Sequence, residues 1–380
     1  MKKLLALLLT LALVTGLAAC GGGSGNDTGA GSGAGQTGGT NQADDVGGEF
    51  RVVLAVPGNL GDRSFFDSAN AGLQRVNQEL TGVTTRVVEM GRDETVWEPT
   101  LLDLSEAGYD IVISGGAATD IMNSVAERFP DNRYINFDNS VTDVVPANVF
   151  SIEYLTGGAS FLAGALAALI TTSDMELANP EPLIGFMGGM DIPGINDFLV
   201  AYIQGAQHIN PDIRVITSYV GAFNDPVLGL EIGLLQYGAG VDISFNVAGQ
   251  SGLGLIGAAF ESNAYVIGVD ADQAQVFFET DPDNAHMIVT SVLKNIDLAV
   301  YEAVRDAMSG DLEFGQHVVR VIQDGGVGIA RNQFYEMIPV EIRDRVRALE
   351  ESIMAGEIEV LTAFAMTTEE IEHLRSSVAP

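Results

Sequence analysis

Short apolar runs alternate with helix-length amphipathic segments from Phe50 onward, and this alternation is the feature that most limits the fold. The predicted strands are Phe50 to Val56, Thr85 to Glu89, Ile111 to Ser114, Tyr134 to Phe137, Leu183 to Met187, Arg214 to Tyr219, Ile243 to Val247, Tyr265 to Val269 and Met287 to Ser291. The predicted helices are Ser64 to Leu80, Pro99 to Glu106, Thr119 to Phe129, Gly194 to Asn210, Val227 to Tyr237 and Gly252 to Glu261. Repeated strand-then-helix order predicts an α/β protein with parallel sheets covered on both faces.

The alternation falls into two series that break near an apolar segment, Thr156 to Ile170. This segment is too short for a membrane span, which needs about 20 apolar residues, so it predicts a buried helix between two lobes. A body of about 330 residues exceeds the usual size of one hydrophobic core, which also favours two lobes. We expect residues 49–155 and 288–315 to form the N-terminal lobe, and 156–287 and 316–380 the C-terminal lobe.

The N-terminus has the pattern of a lipoprotein signal peptide. Lys2 and Lys3 precede an apolar run from Leu4 to Val14, and the small residues before Cys20, the only cysteine, suit a signal peptidase. We therefore expect residues 1–19 to be removed, Cys20 to carry lipid, and the protein to lie on the extracytoplasmic face of a bacterial cell membrane. Residues 20–48, rich in Gly and Ser, predict a flexible tether.

The chain is strongly acidic, with 18 basic and 51 acidic residues and a net charge of −33. Cleavage before Cys20 removes two lysines and no acid, which leaves 16 basic residues against 51 acidic ones and a net charge of −35. Nucleic acids and anionic membrane surfaces are poor partners for such a body. We interpret the charge as a solvated acidic surface.

Lys294 is the only lysine of the mature chain, beside 15 arginines. Where arginine replaces lysine almost everywhere, a retained lysine indicates a need for a compact ammonium donor, which a planar guanidinium does not replace. Chance retention is the alternative.

Polar and aromatic residues cluster just beyond the carboxyl ends of the predicted strands, where open parallel sheets bind ligands. Carboxylates there accept hydrogen bonds from hydroxyl and N–H groups, and phenylalanine rings hold a flat ring. With Lys294 as the one cation, a neutral ligand with a planar ring and several hydroxyls fits best, and a nucleoside is such a solute. Helix capping is the alternative role for Asp62 and Asp138. The strand-end residues concerned are Asp62, Phe65, Phe66, Asp67, Asp138, Phe223 and Asp270.

The sequence lacks the residue patterns of several common catalytic and metal-binding sites. The chain has no Gly-x-Ser-x-Gly elbow, no Walker loop and no thiol besides Cys20. The four histidines lack metal-ligand spacing and are interpreted as surface residues. We therefore expect neither a metal nor an organic cofactor, and no enzymatic activity.

Seven segments together resemble the basic membrane protein family of substrate-binding lipoproteins, the purine nucleoside receptors of ABC importers. The resemblance implies the type I periplasmic-binding-protein fold, with two Rossmann-like lobes, parallel sheets and a ligand cleft between them. It extends from about Phe50 to past Gly328. The segments are GDRSFFDS from Gly61, FLAGALAA from Phe161, IGFMGGMDIP from Ile184, YVGAFNDP from Tyr219, VAGQSG from Val247, IGVDADQ from Ile267 and TSVLKN from Thr290.

The family resemblance also implies roles for individual residues. The base would lie between aromatic rings of the two lobes, with Phe223 on one side, and the ribose would contact Asp270 and Lys294. The base side would include Asp138 and the turn that contains Asp62, Ser64, Phe65, Phe66 and Asp67, and Gly249 would pack close to the sugar. The family usually has asparagine where this chain has Phe66.

These observations predict a monomeric, lipid-anchored receptor that closes two lobes on a nucleoside and delivers it to an ABC permease and its ATPase. The membrane would be contacted through the lipid anchor alone. The first alternative is a receptor of the same fold for a sugar or another small polar solute. The second is a surface lipoprotein that senses a ligand or acts as an adhesin.

Overall fold

The computed structural model describes residues 49–139 and 145–380. The predicted signal peptide, Cys20 and the tether lie outside the described residues. The strands in the described part are β1 (Phe50–Val56), β2 (Val83–Glu89), β3 (Ile111–Ser114), β4 (Tyr134–Asn136), β5 (Val149–Tyr154), β6 (Leu183–Gly188), β7 (Arg214–Tyr219), β8 (Ile243–Val247), β9 (Tyr265–Asp270), β10 (Ile288–Lys294), β11 (Gln316–Arg320) and β12 (Val327–Ile329).

The helices in the same part of the chain cover both sheets. They are α1 (Phe65–Glu79), α2 (Trp97–Glu106), α3 (Thr119–Arg128), α4 (Gly157–Thr171), α5 (Pro193–Ile209), α6 (Pro226–Gly238), α7 (Gly252–Ser262), α8 (Gln273–Phe278), α9 (Pro282–Met287), α10 (Ile296–Ser309), α11 (Val340–Met354) and α12 (Thr368–Val378). Several begin at residues suited to that position: α6, for example, has Pro226 in its first turn, and Asp225 caps it by accepting a hydrogen bond from Leu228 N at 2.9 Å.

The strands form two six-stranded sheets with the same spatial order. The first sheet runs β11-β5-β4-β3-β1-β2 and the second β12-β10-β9-β8-β6-β7. Every neighbouring pair is parallel except β10 and β12. We call each sheet with its helices a lobe. The two α/β lobes with parallel-dominated sheets confirm the predicted fold class.

Burial on both faces explains why the strands were recognisable in sequence. In β1, Val52, Leu54 and Val56 join one apolar cluster, while Val53 and Ala55 join another on the opposite face of the first sheet. A strand covered by helices on both faces reads as a continuous apolar run, because neither set of alternate side chains faces water.

Three strands escaped sequence prediction: β5, β11 and β12. In β5 the apolar run is interrupted by Ser151 and Glu153, which are buried. Their partners come from distant parts of the chain, since Asn139 donates to Ser151 Oγ at 2.8 Å and His317 Nε2 lies 2.9 Å from Glu153 Oε2. The interpretation of all four histidines as surface residues is therefore wrong for His317, which is partly buried.

The part of the chain after β9 joins the two sheets differently from the predicted lobe division. Strand β10, within the segment assigned to the N-terminal lobe, lies in the second sheet, and β11, from the segment assigned to the C-terminal lobe, lies in the first. The sheet to which a strand belongs depends on the strand that it pairs with, and β10 pairs with β9 of the second sheet. The first sheet gains its edge strand when β11 pairs with β5.

Helix α4 is buried almost throughout, as predicted, but it packs within the second lobe rather than between the lobes. It lies against α5, α11 and the strands β6, β8, β10 and β12. No helix of residues 49–139 and 145–380 is both long and apolar enough to cross a bilayer.

Helices α4 and α5 approach each other through glycine. A Cβ atom added to Gly164 would overlap the carbonyl oxygen of Tyr202, and one added to Gly205 would overlap that of Phe161. Because both obstacles are backbone atoms of a neighbouring helix, they cannot move aside without separating the two helices. The close crossing of α4 and α5 therefore depends on these two glycines.

We predict that Gly205→Ala lowers the free energy of unfolding by about 3 kcal/mol, because the added methyl group overpacks the helix crossing. Gly238→Ala is the matched control, since Gly238 ends helix α6 with open space around it, and a change below about 1 kcal/mol is expected there. Urea denaturation of both variants measures the difference. Equal stabilities for the two variants would contradict this account of the crossing.

Candidate functional site

A cavity of about 910 Å³ lies where the carboxyl ends of the two sheets face each other. Both sheets reverse their strand order beside β1 or β6, and this switch point is where parallel sheets leave a crevice for ligands. The lining includes eight of the ten predicted ligand-binding residues: Asp62, Phe65, Phe66, Asp138, Phe223, Gly249, Asp270 and Lys294. Ser64 and Asp67 lie just behind the wall.

Asp62 closes the turn between β1 and α1. Its Oδ1 accepts hydrogen bonds from the backbone N–H groups of Ser64 and Asp67 at 3.1 Å each, and its Oδ2 accepts one from Phe66 at 2.9 Å. Burial raises the pKa of Asp62, against the opposing effect of these hydrogen bonds. The capping role that the sequence left open is therefore present in a side chain that also lines the cavity.

Asp67 and Ser64 fix the same turn from behind. The Asp67 carboxylate accepts hydrogen bonds from the backbone N–H groups of Gly61 at 2.9 Å and Arg63 at 2.8 Å. Ser64 Oγ donates to Asp270 Oδ2 at 3.1 Å, which links the first lobe to the end of β9 in the second. Both residues therefore position neighbouring groups of the cavity.

Two phenylalanine rings, one from each lobe, rest on glycines. Phe65 lies over Gly116, where a Cβ atom would come within 3.3 Å of the ring. Phe223 lies over Gly189, where a Cβ atom would overlap the ring, and beside Gly249. The absence of side chains at these glycines lets each ring lie close to the backbone of its own lobe and face the cavity.

Lys294 joins the two lobes inside the cavity. It ends β10 of the second sheet, and its Nζ lies 3.1 Å from Asp138 Oδ2 and 3.3 Å from Oδ1, beyond the end of β4 in the first sheet. The rings of Phe65, Tyr154 and Phe198 surround the ammonium group, with centroids 5.6 to 5.7 Å from Nζ. Lys294 is thus a cation that aromatic rings surround and that forms an ion pair with Asp138.

Burial and neighbouring charges shift the two central ionisable groups. Burial lowers the pKa of Lys294, but attraction to Asp138 and Asp270 outweighs it, so the net pKa is raised and the ammonium form is stabilised. Burial raises the pKa of Asp270 to about 7, even though Lys294 opposes the shift. Near neutral pH both the acid and the carboxylate form of Asp270 are therefore populated.

The C-terminal segment supplies part of the wall, which the sequence did not predict. Thr362 and Phe364 line the cavity. Thr362 Oγ1 donates to Asp197 Oδ1 at 2.6 Å, and the backbone N–H of Ala363 donates to the same oxygen at 3.0 Å. Burial raises the pKa of Asp197, a cavity residue within helix α5. The available sequence signal for Asp197 as a site residue was its position as a single acidic residue within the mostly apolar helix α5.

Arg375 in α12 ties the last helix to the rim of the cavity. Its guanidinium binds both carboxylate oxygens of Asp191 at 2.7 and 2.8 Å, donates to Asn196 at 2.9 Å and lies over the Tyr219 ring at 5.0 Å. The bidentate geometry fixes the loop between β6 and α5, whose residues from Ile192 onward form one side of the mouth.

The cavity lining carries six carboxylates and two cations rather than one. Lys294 was expected to be the sole cation, but Arg92, which follows β2, lines the cavity as well. Excess negative charge still favours neutral ligands over anions. No cluster of three or more potential metal-binding side chains occurs within the described part of the chain. The carboxylates are Asp62, Asp120, Asp138, Glu153, Asp197 and Asp270.

The raised pKa of Asp270 predicts a pH-dependent cost of folding in the unliganded protein. The native state holds this proton up to about pH 7 and the unfolded state only to about pH 4, so the stability associated with the group is present at low pH and is lost as pH rises through 7. Relative to that of Asp270→Asn, the free energy of unfolding of the wild type should fall by roughly 2 to 3 kcal/mol between pH 5 and pH 8. Urea denaturation at both values measures the change.

Asparagine suits this test because Asp270 has a left-handed backbone, with φ of 64°, which asparagine also tolerates. Asp212→Asn, at an exposed position, is the control and should show the same pH dependence as the wild type. A constant stability difference between wild type and Asp270→Asn from pH 5 to pH 8 would show that the carboxyl is not perturbed.

Comparisons with known proteins agree with this geometry. Residues 50–363 match the Bmp family model, described as "ABC transporter substrate-binding protein PnrA-like". Basic membrane protein A of Borreliella burgdorferi is 30% identical over 316 residues, covering 81% of this chain and 86% of that protein. The CD4+ T-cell-stimulating antigen of Listeria monocytogenes is 26% identical over 326 residues, covering 82% and 88%.

Among solved structures, an ABC transporter solute-binding protein from Aeropyrum pernix K1 superposes with a TM-score of 0.74 at 26% identity, covering 87% of this chain and 99% of that one. The sequence resemblance and the type I periplasmic-binding fold are thereby confirmed. Two α/β lobes, a cleft at their strand ends and a family match over most of the chain lead to one conclusion: the protein belongs to the Bmp family of PnrA-like ABC transporter substrate-binding proteins.

Proposed function

We propose that this substrate-binding protein is a lipid-anchored receptor that captures purine nucleosides outside the cell membrane and delivers them to an ABC permease and its ATPase. The observation that carries the proposal is the pair of rings, Phe65 and Phe223, which enter one cavity from opposite lobes. Two flat apolar faces in one cleft suit a planar aromatic ligand better than a non-planar one.

The polar groups suit a sugar attached to that ring. A carboxylate at Asp270 accepts hydrogen bonds from hydroxyl groups, and the ammonium of Lys294 donates to hydroxyl oxygens. Both lie at the ends of adjacent strands of the second sheet, beside the rings, and Asp270 is paired with Leu293 in the sheet register. A ribose bound at this position would satisfy groups that are otherwise buried with few partners.

Charge argues against nucleotides. A phosphate group would enter a cavity with six carboxylates and two cations, one of which, Lys294, is already paired with Asp138. Its desolvation would not be compensated. The volume of about 910 Å³ is at the upper end of the usual range for small-molecule sites, so a nucleoside fits without expansion.

Ligand-dependent stabilisation tests the proposal. At 100 times their dissociation constants, purine nucleosides should add about 2.7 kcal/mol to the free energy of unfolding by mass action. A rise in melting temperature is expected with inosine, guanosine or adenosine, and none with the matching 5′-monophosphates, with ribose or with inositol. Stabilisation by a sugar alone would favour the first alternative, and no stabilisation by any solute would favour sensing or adhesion through a protein partner.

The variant Lys294→Arg tests whether stabilisation by nucleosides depends on the cavity. It keeps the positive charge but cannot place a compact donor at the same point, so the nucleoside-dependent rise should be reduced or lost. Arg305→Lys, on the surface beside Asp306, is the control and should respond like the wild type. Full stabilisation of Lys294→Arg by nucleosides would mean that the solitary lysine reflects composition alone.

Membrane attachment is proposed to depend on Cys20. A diacylglycerol thioether supplies two acyl chains, and two are needed because one chain anchors only marginally. The Cys20→Ser chain should escape processing by the lipoprotein peptidase, and a chain that starts at Phe50 should be soluble with unchanged nucleoside affinity. Membrane fractionation and a binding titration measure both. Membrane association of the shortened chain, or loss of its ligand, would contradict the division into anchor, tether and receptor.

A further inference from the structure

Arg92 occupies a fixed position at the rim of the first lobe. It follows β2 and Gly91, which has a left-handed backbone with φ of 69°. The backbone N–H of Gly91 donates to Gly58 O at 3.0 Å, and Trp97 Nε1 donates to Gly91 O at 2.9 Å. These two hydrogen bonds fix the backbone of Gly91, and they thereby fix the position at which the neighbouring Arg92 side chain begins.

Glycine at position 58 makes room for the guanidinium and for the ring beneath it. A Cβ atom there would lie 2.6 Å from Phe66 Cε2 and 3.3 Å from Arg92 Cζ. Arg92 Cζ lies 5.5 Å from the centroid of the Phe66 ring, which is within cation–π range. The partly buried guanidinium is therefore held over an aromatic ring in the wall of the cavity.

The guanidinium has no hydrogen-bond acceptor anywhere in residues 49–139 and 145–380. Asp62 attracts it electrostatically, but both Asp62 oxygens already accept backbone N–H groups of the turn. Burial lowers the pKa of Arg92, yet an arginine stays protonated at neutral pH. Five N–H donors thus lie at a ligand cavity without an acceptor from the described protein.

A planar fork of donors selects for two acceptors in one plane. Carboxylates, phosphates and the O6/N7 edge of a 6-oxopurine all have this geometry. Anions are opposed by the six carboxylates of the cavity, whereas the purine edge is neutral. Adenine presents an amino donor beside N7, so it would place a donor against the guanidinium.

We infer that Arg92 is a specificity-determining residue that binds the O6/N7 edge of a 6-oxopurine, so that the receptor prefers inosine and guanosine to adenosine. The inference rests on the proposed nucleoside function and narrows its substrate class. Phe66 supports the contact as the ring beneath the guanidinium.

Calorimetric titration of the purified full chain with inosine, adenosine and 7-deazainosine tests the inference. The wild type should bind inosine about 10- to 100-fold more tightly than adenosine, in line with the discrimination of a bidentate arginine contact. It should bind 7-deazainosine more weakly than inosine, because the N7 acceptor is missing. Arg92→Ala should lower inosine affinity to about that of adenosine and change adenosine affinity less than about threefold.

Two further variants complete the design. Arg92→Lys keeps the charge but lacks the planar fork, so it should also lose most of the preference; it replaces Arg92→Ala if that variant does not fold. Arg128→Ala, which removes an exposed ion pair with Glu98, is the control and should keep the wild-type preference.

The outcomes separate the two proposals. If the wild type binds nucleosides but Arg92→Ala keeps the inosine preference, or if 7-deazainosine binds like inosine, the role of Arg92 is wrong and the nucleoside function stands. Tighter binding of inosine 5′-monophosphate than inosine, lost in Arg92→Ala, would assign the guanidinium to a phosphate and overturn the base contact. If the wild type binds no nucleoside, both proposals fail.

Discussion

The contact between Lys294 and Asp138 is the interaction on which the arrangement of the cavity depends. Lys294 is the last residue of β10 in the second sheet, and Asp138 lies just beyond β4 of the first sheet. Lys294 Nζ is 3.1 Å from Asp138 Oδ2. Removing two charges from water costs about as much as their attraction returns, so such a pair contributes little net stability. Its consequence is geometric, because it holds the strand ends of the two lobes face to face with polar groups between them.

The same strand order in both sheets places the remaining site residues. In each sheet the strand order reverses beside the first strand, β1 or β6. The turns that follow these strands carry residues that line the cavity. Capping by Asp62 shapes the turn on the first lobe, and the glycines beneath Phe223 shape the second. Backbone requirements of turns and close packing therefore put the two rings and the acidic groups into one cleft.

The parts of the fold and site that sequence could predict are those determined locally. Strands such as β1 were predicted because both faces are buried, and Asp62, Phe65, Asp138 and Asp270 were found because they follow such strands. Strand β5 was missed because Glu153 breaks its apolar run and pairs with His317, which lies far along the chain.

Cavity residues placed by long-range packing were also missed. Arg92 reaches the wall through a loop held by Gly58 and Trp97, and Thr362 reaches it by bonding Asp197 on another helix. Arg92 does lie just beyond the carboxyl end of β2, so the strand-end rule could have selected it, whereas Thr362 follows no strand closely. The exchange of β10 and β11 between sheets has the same origin, since strand pairing partners are not encoded within the strand itself.

The most direct test is the crystal structure of the protein grown with inosine. The account predicts the base between the rings of Phe65 and Phe223, the ribose hydroxyls within hydrogen-bonding distance of Asp270 and Lys294, and the purine O6 and N7 facing Arg92. Inosine bound outside this cavity, or a cavity that stays free of inosine while the nucleoside binds in solution, would contradict it.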